Sequence, residues 1–302
     1  MTMPNFFVIG AQKAGTTSLY YYLDQHPEVY MSPRKEPHFF QGMRSEFRWP
    51  GRRLAPVTDL QDYLALFEGV TNEKAIGEAS ASYLYSPEAP ALIKRSIPDA
   101  KIIAVLRNPA DRAYSNFLHL VQVGREPAAS FAEALQAEDG RMRDRWGPDW
   151  YYRQKGFYHD QVKRYFDTFG RDQVRIWLYE DLRDDPSGMM RDVFAFLDVD
   201  HTFVPNMSTE HNPSGVPRSQ GLYTWARKLT ARNPVLVDRF VPARLRGQLK
   251  SRILVKPPPF PPEVRRQLTH SYREDVLRLQ ELIGRDLSPW LKDDGENASL
   301  GS

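Results

Sequence analysis

Short, almost wholly apolar runs alternate along the chain with longer stretches in which apolar residues recur every three or four positions. Asn5 to Gly10 (NFFVIG) and Lys101 to Leu106 (KIIAVL) are the clearest runs, and Val174 to Tyr179 is a third. Runs of this length and composition, bounded by glycine, proline or polar residues, predict buried strands. A helical pattern follows each: Thr16 to Gln25, Pro109 to Val123 and Pro186 to Leu197. The last two open on proline, which suits a first helical turn because its missing N–H would have no partner there. Further helices are expected near 130–139, 158–168, 218–230 and 262–283. Strands alternating with helices imply an α/β fold, a mainly parallel sheet with helices on both faces. No internal repeat interrupts the order, so a single domain over 1–290 and a flexible tail at 291–302 are expected. The cluster Lys256-Pro-Pro-Pro-Phe-Pro-Pro262 must be extended, since each ring fixes φ and removes a donor, and it joins the preceding segment to the last helix.

Composition narrows the class without naming a chemistry. Hydrophobic residues make up 41% and charged residues 26% of 302, ordinary globular usage that rules out collagen-like, coiled-coil and wholly disordered chains. With no cysteine, disulfides, thiolate zinc sites and cysteine nucleophiles are excluded. The first residues lack the basic start and apolar run of a signal peptide, and no stretch approaches the roughly 20 apolar residues of a membrane span, so a cytoplasmic location is expected. The net charge of +3 is unevenly spread: residues 218–256 hold ten Lys/Arg against Asp238 alone, leaving everything else at −6. This basic segment is either a lid or surface facing an anion, such as a nucleotide, an acidic substrate or a lipid headgroup, or a solvated helical face. It contains no recognisable nucleic-acid module.

The first strand runs into Gly10-Ala-Gln-Lys-Ala-Gly15-Thr-Thr-Ser18 and then a helix, the context in which backbone amides and a helix N-terminus hold a phosphate. Against the P-loop pattern G-x-x-x-x-G-K-S/T, Gly10, Gly15 and Thr17 fit, but Thr16 stands in the lysine position and the cation is Lys13, inside the loop. A P-loop NTPase places its lysine on the β- and γ-phosphates and its hydroxyl on magnesium. The displaced lysine therefore argues against a nucleoside triphosphate.

The loop wording, with Tyr-Tyr-Tyr-Leu-Asp-Gln-His-Pro after it, resembles the phosphosulfate-binding loop of sulfotransferases that use 3′-phosphoadenosine 5′-phosphosulfate (PAPS). It is most similar to the carbohydrate (heparan sulfate N- and 3-O-) and bacterial branch. The resemblance spans roughly 5–220. It implies that Lys13, Ala14, Gly15, Thr16, Thr17 and Ser18 hold the 5′-phosphosulfate, with Lys13 meeting charge on the leaving group. No metal is implied, and the product nucleotide is adenosine 3′,5′-bisphosphate (PAP).

A second anchor follows the strand KIIAVL. Arg107 stands just past the strand end, where ligands of open α/β sheets sit. Ser115 lies eight residues on, and at about 100° per residue that restores nearly the same helix direction. A guanidinium and a hydroxyl on one side suit one phosphate; the resemblance assigns the R-N-P-x-x-R-A-x-S stretch to the 3′-phosphate. Arg112 reads as structural. The turn-rich segment His211 to Arg218 matches a bacterial N-x-S-x-x-P-R loop, which makes Arg218 a further cofactor ligand.

Between the loop helix and the second anchor, Ser32-Pro-Arg-Lys-Glu36-Pro-His38-Phe-Phe40 sets polar groups among prolines and aromatics, surroundings able to hold a carboxylate ready to take a proton. Glu36 is the preferred base and His38 the alternative or assistant, as the K-E-x-H-F-F segment of the heparan branch implies. Lys35, Glu78, Ser80 and Tyr83 are implied to line the acceptor cleft. Glu78 could also orient Lys35 or cap a helix through Ser80. Tyr20 to Tyr22 read as core packing, Tyr179-Glu-Asp-Leu182 as structural, and Phe157 and Tyr158 as cleft residues. The expected activity is transfer of a sulfuryl group from PAPS to a hydroxyl or amine of a small-molecule, saccharide or glycolipid acceptor, with no nucleic-acid partner. A small-molecule or nucleotide kinase, or a non-catalytic nucleotide or lipid-surface binding module using 218–256, are the alternatives.

Overall fold

The computed structural model describes residues 2–42, 47–49, 56–208, 216–217, 254–255 and 258–292. Strand β1 (Phe6–Gly10) is buried at every position, because it is central: β3 (Ala75–Ala79) pairs with one edge and β4 (Lys101–Leu106) with the other, both parallel. A strand covered on both faces reads as a continuous apolar run, which is why NFFVIG and KIIAVL stand out in the sequence. β2 (Val29–Met31) and β5 (Val174–Leu178) complete a five-stranded parallel sheet in the order β2-β3-β1-β4-β5. The α/β expectation holds.

Helix α1 (Thr16–Leu23) follows β1, and α2 (Leu60–Ala65) and α3 (Ala89–Ser96) flank β3 in sequence. Past β4 come α4 (Pro109–Gln122), α5 (Phe131–Gln136), α6 (Glu138–Arg143) and α7 (His159–Phe169). Past β5 come α8 (Tyr179–Asp184) and α9 (Pro186–Phe196), then α10 (Pro262–Ile283). The helices expected at 109–123, 158–168, 186–197 and 262–283 are found within a residue or so; the one near 130–139 is two short helices. That expected at 218–230 lies outside the described residues, as does nearly all of the basic segment. Two short strands bracket it: β6 (Val216–Pro217), just before it, pairs antiparallel with β7 (Leu254–Val255), near its end. The proline run is pinned where it is described, since Tyr114 Oη donates to Pro258 O at 2.8 Å and its ring stacks on Phe260 at 4.6 Å. Residues 288–291 form a 3-10 turn, so Leu291 belongs to the fold and not to a tail; 293–302 lie outside the described residues. Among the described residues no helix is long and apolar enough to cross a membrane.

Strand order decides where a ligand can bind. From β1 the chain moves outward to β2 and back to β3, then crosses β1 to reach β4 and β5. The loops after β1 and β4 therefore part in opposite directions and leave a crevice at the carboxyl ends of these neighbours. Lys13 and Arg107 stand on those two loops.

Candidate active site

The loop from Gly10 to Gly15 ends in a left-handed residue, Gly15 (φ 88°, ψ 6°), where a Cβ would come within 2.5 Å of Leu182 Cδ2; only glycine fits. Gly15 is the N-cap of α1, and no side chain caps that helix. Leu19 N–H is the first to reach a helical acceptor, the Gly15 carbonyl at 3.1 Å, which leaves the amides of Gly15, Thr16, Thr17 and Ser18 as donors. The helix after β4 differs: Asn108 Oδ1 accepts from Ala110 N (3.0 Å) and Asp111 N (3.3 Å), so its first turn is satisfied. The two anchors thus work differently. The first anchor offers open backbone amides, and the second offers side chains.

Arg107 joins them. Its Nη1 donates to the carbonyl of Lys13 at 3.2 Å, and its guanidinium faces the Tyr179 ring at 4.6 Å. Lys13 is squeezed by this arrangement. Burial, then the positive charges of Arg107 and Lys35, push its ammonium down from 10.5 to about 8. Three cations converging on a half-buried loop of open amides form a site short of negative charge.

The Lys35–Phe40 arch is hung from the end of β3. Glu36 N–H donates to Ala79 O (2.9 Å), His38 N–H to Ser80 Oγ (3.1 Å) and Phe40 N–H to Tyr83 Oη (2.9 Å). Glu36 Oε1 meets Lys35 Nζ at 3.0 Å; its Oε2 accepts from Ala81 N–H at 3.0 Å and lies 3.7 Å from His38 Nε2. On the far side of the ring, His38 Nδ1 is 2.8 Å from Ser82 Oγ, which donates onward to Gln41 Oε1 at 2.9 Å. A hydroxyl has one proton to give. With that proton on Gln41, Ser82 accepts from Nδ1–H, and the Nε2 of a neutral His38 presents its lone pair toward Glu36. Of the five non-glycine residues with positive φ among the described ones, three are Lys13 (72°), Glu36 (61°) and His38 (60°). Left-handed backbone is uncommon for such residues and gathers where a fold holds side chains for chemistry.

The Sulfotransferase family model matches residues 4–203. The chain belongs to the sulfotransferase family. It is 39% identical to the crystal structure of a sulfotransferase from Alicyclobacillus acidocaldarius, with a TM-score of 0.77 over 97% of this chain and 100% of that one. It is 29% identical over 96% of its length to the bifunctional heparan sulfate N-deacetylase/N-sulfotransferases 4 of Mus musculus and 3 of Homo sapiens. It spans 31% of the length of each of these two relatives. The residues fit a donor with anionic groups at both ends of one nucleoside: such a molecule needs two neighbouring cradles, and the Lys13–Arg107 contact makes them neighbours. Among the described residues no group of three His, Cys, Asp or Glu is placed to hold a metal.

Not every residue singled out in the sequence faces the sulfotransferase site in the expected way. Ala14 N–H closes a turn on Ala11 O at 3.1 Å and is already engaged. The Thr16 side chain is buried and the Ser18 hydroxyl bonds Tyr22, so these two offer amides alone, whereas Thr17 keeps a half-buried hydroxyl. Ser115 is half-buried on α4. Arg112 is buried and donates to Tyr152 O, as its structural reading required. Glu78, Ser80 and Tyr83, expected to line the acceptor cleft, have no exposed surface; Ser80 and Tyr83 lie beneath the arch and hold it. Glu78 is on a strand and caps no helix. The Ser80 and Tyr83 hydroxyls approach it without bonded alignment, and burial, with Glu36 nearby, lifts its carboxyl to about 8. Arg218 lies outside the described residues.

The supports lie behind the anchors: Tyr179 is structural, as read from the sequence, whereas Tyr158, expected in the cleft, is fully buried. Tyr179 clamps Arg107 and packs on the Gly15 turn, Tyr158 Oη donates to Arg107 O at 3.1 Å, and Trp290 links Asn108 to Glu180 by bonds of 3.2 and 3.0 Å. Tyr179 was legible because Tyr-Glu-Asp-Leu follows β5 at the same sheet end as Gly10 and Arg107. The others are brought in from distant segments.

Proposed function

We propose that this sulfotransferase moves the sulfuryl group of PAPS to a hydroxyl or amine of a saccharide or a small saccharide-like molecule, with Glu36 taking the acceptor's proton. The observation that carries the reading is the Arg107–Lys13 contact at 3.2 Å beside the Lys35–Glu36 pair at 3.0 Å, which sets a two-ended anion site next to a carboxylate. The relatives named for heparan sulfate favour a saccharide among the acceptors.

When bound, PAPS supplies a sulfuryl group on a phosphate leaving group. Lys13 and the open α1 amides hold that phosphate, and donors preorganised where charge develops are worth on the order of 3–4 kcal/mol each. Arg107 and Ser115 hold the 3′-phosphate and fix the nucleotide's direction. Lys35 aims Glu36 through Oε1. The proton taken at Oε2 has His38 Nε2 beside it, so the two groups can share it while the acceptor attacks. The test is calorimetric titration with PAP and with ATP, then a screen of saccharide and small-molecule acceptors with PAPS, read by mass. Tight PAP binding, weak ATP binding and a product heavier by one sulfuryl group are expected; ATP binding as tight as PAP binding would sink the donor assignment.

A further inference from the structure

One chemically active side chain of the phosphate loop has no role so far: Gln12. Its Oε1 accepts from the ammonium of Lys155, which sits in the 3-10 turn Gln154–Gly156 and is only 8% exposed. An ammonium has three donors and no acceptor, so it can meet only the oxygen end of a carboxamide. The orientation of a glutamine amide has to be assigned from its surroundings, and here a buried charge assigns it. The Nε2 end of Gln12 is thereby turned away from Lys155 with both N–H groups, and no described residue accepts from them.

The turn that carries Lys155 is held from several sides. A Cβ on Gly156 would come within 2.6 Å of the Tyr272 ring, and Gln161 Nε2 donates to the Lys155 carbonyl at 3.3 Å. Tyr158 N–H donates to Asp275 at 2.7 Å, while Tyr158 Oη reaches the Arg107 carbonyl. This turn and the residues that follow it therefore brace both phosphate cradles, one through Lys155 and one through Tyr158. Gln12 itself is half-exposed and adjoins Lys13, on the loop whose open amides take the phosphosulfate.

We propose that Gln12 Nε2 donates to the sulfonate oxygens of the bound donor, and that Lys155 is a positioning residue that keeps the amide in this sense. The proposal rests on the reading of the loop as the PAPS site. During transfer the bond from sulfur to the phosphate oxygen breaks as the bond to the acceptor forms. The sulfonate oxygens stay on sulfur, where a fixed pair of N–H donors holds the moving group in line. PAP lacks those oxygens, so the contact separates donor from product.

The test is calorimetric binding of PAPS and of PAP to the full chain as wild type, Gln12→Met, Lys155→Met and Lys155→Arg, with thermal midpoints alongside. Gln12→Met is expected to weaken PAPS on the order of tenfold, the effect of losing a hydrogen bond to a charged group, and to leave PAP within about twofold. Lys155→Met should move PAPS the same way by less, and Lys155→Arg, which also has donors only, should restore it. Equal weakening of PAPS and PAP in Gln12→Met would reduce the amide to a loop brace and overturn the proposal, as would no change in either. A wild-type protein that binds neither nucleotide overturns the donor-site reading first and this proposal with it. Should Lys155→Met fail to fold, Gln12→Met and Lys155→Arg still decide the matter.

Discussion

Arg107 reaches across from β4 to donate to the Lys13 carbonyl at 3.2 Å, so a side chain of one phosphate cradle fixes the backbone of the other. Its opposite face lies on Tyr179. Replacing Arg107 by Gln should remove both the proposed 3′-phosphate contact and this tie. Hydrogen bonds to charged groups are worth about 1.5–3 kcal/mol, so PAP affinity should fall on the order of tenfold to a hundredfold. Binding of a nucleotide without the 3′-phosphate should fall much less. Calorimetry with PAP and adenosine 5′-phosphosulfate checks the difference, and equal losses for the two would remove Arg107 from the 3′-phosphate.

Lys13 carries a pH signature. Burial and the charges of Arg107 and Lys35 hold it at about 8 in the free protein. A bound anion favours the ammonium and raises it again. PAP binding near pH 8 to 9 should therefore take up a proton, and affinity should decline as the pH rises through that range. Titrations in buffers of different ionisation enthalpy read the uptake directly. Lys13→Met should abolish it along with most turnover.

In the proposed reaction Glu36 takes the acceptor's proton, and Gln keeps its shape while losing the base. Glu36→Gln should bind PAP within about twofold of wild type and lose about a hundredfold to ten-thousandfold in kcat, the usual span for a positioned general base. Full activity in this variant would hand the role to His38. A non-catalytic binding module would show no turnover to lose.

Strands β1 and β4 were readable because they are covered on both faces and so are apolar almost throughout. The bounds of α10 were readable for a different reason: proline opens it and Gly284, left-handed at φ 65°, closes it. β2 and β3 were not, since one has three residues and the other carries glycine and a buried acid in its interior. Lys13, Glu36, His38 and Arg107 were legible by type and spacing on loops at one end of the sheet. Their partners were not. Ser82 and Gln41 reach His38 within a network spanning more than forty residues, and Lys155 reaches Gln12 across 143, separations that no local pattern encodes.

The Ser82–Gln41 pair gives His38 a defined tautomer, and that is measurable. Nitrogen-15 spectra of the neutral ring should show the proton on Nδ1. Ser82→Ala should release the ring, shift the pH dependence of kcat and leave PAP affinity unchanged. A neutral ring protonated on Nε2 in wild type would contradict the network, because Nε2–H would then face Glu36 and Ser82 would have to donate to Nδ1.

Glu78 has no surface, its carboxyl oxygens have no aligned partner, and burial lifts it from 4.5 to about 8. The folded protein thus keeps a proton on Glu78 between these values while the unfolded chain releases it. Stability rises with pH where the unfolded state binds more protons; here it binds fewer, so the contribution of Glu78 falls as the pH rises from 4.5 to about 8. The slope is at most about 1.4 kcal/mol per pH unit. Glu78→Gln copies the neutral acid and has no proton to lose. Its thermal midpoint should match wild type near pH 5 and exceed it progressively toward pH 8, with the arch and the PAP affinity retained. A constant gap between the two proteins across that range would mean that Glu78 is ionised in the fold and that another group neutralises it.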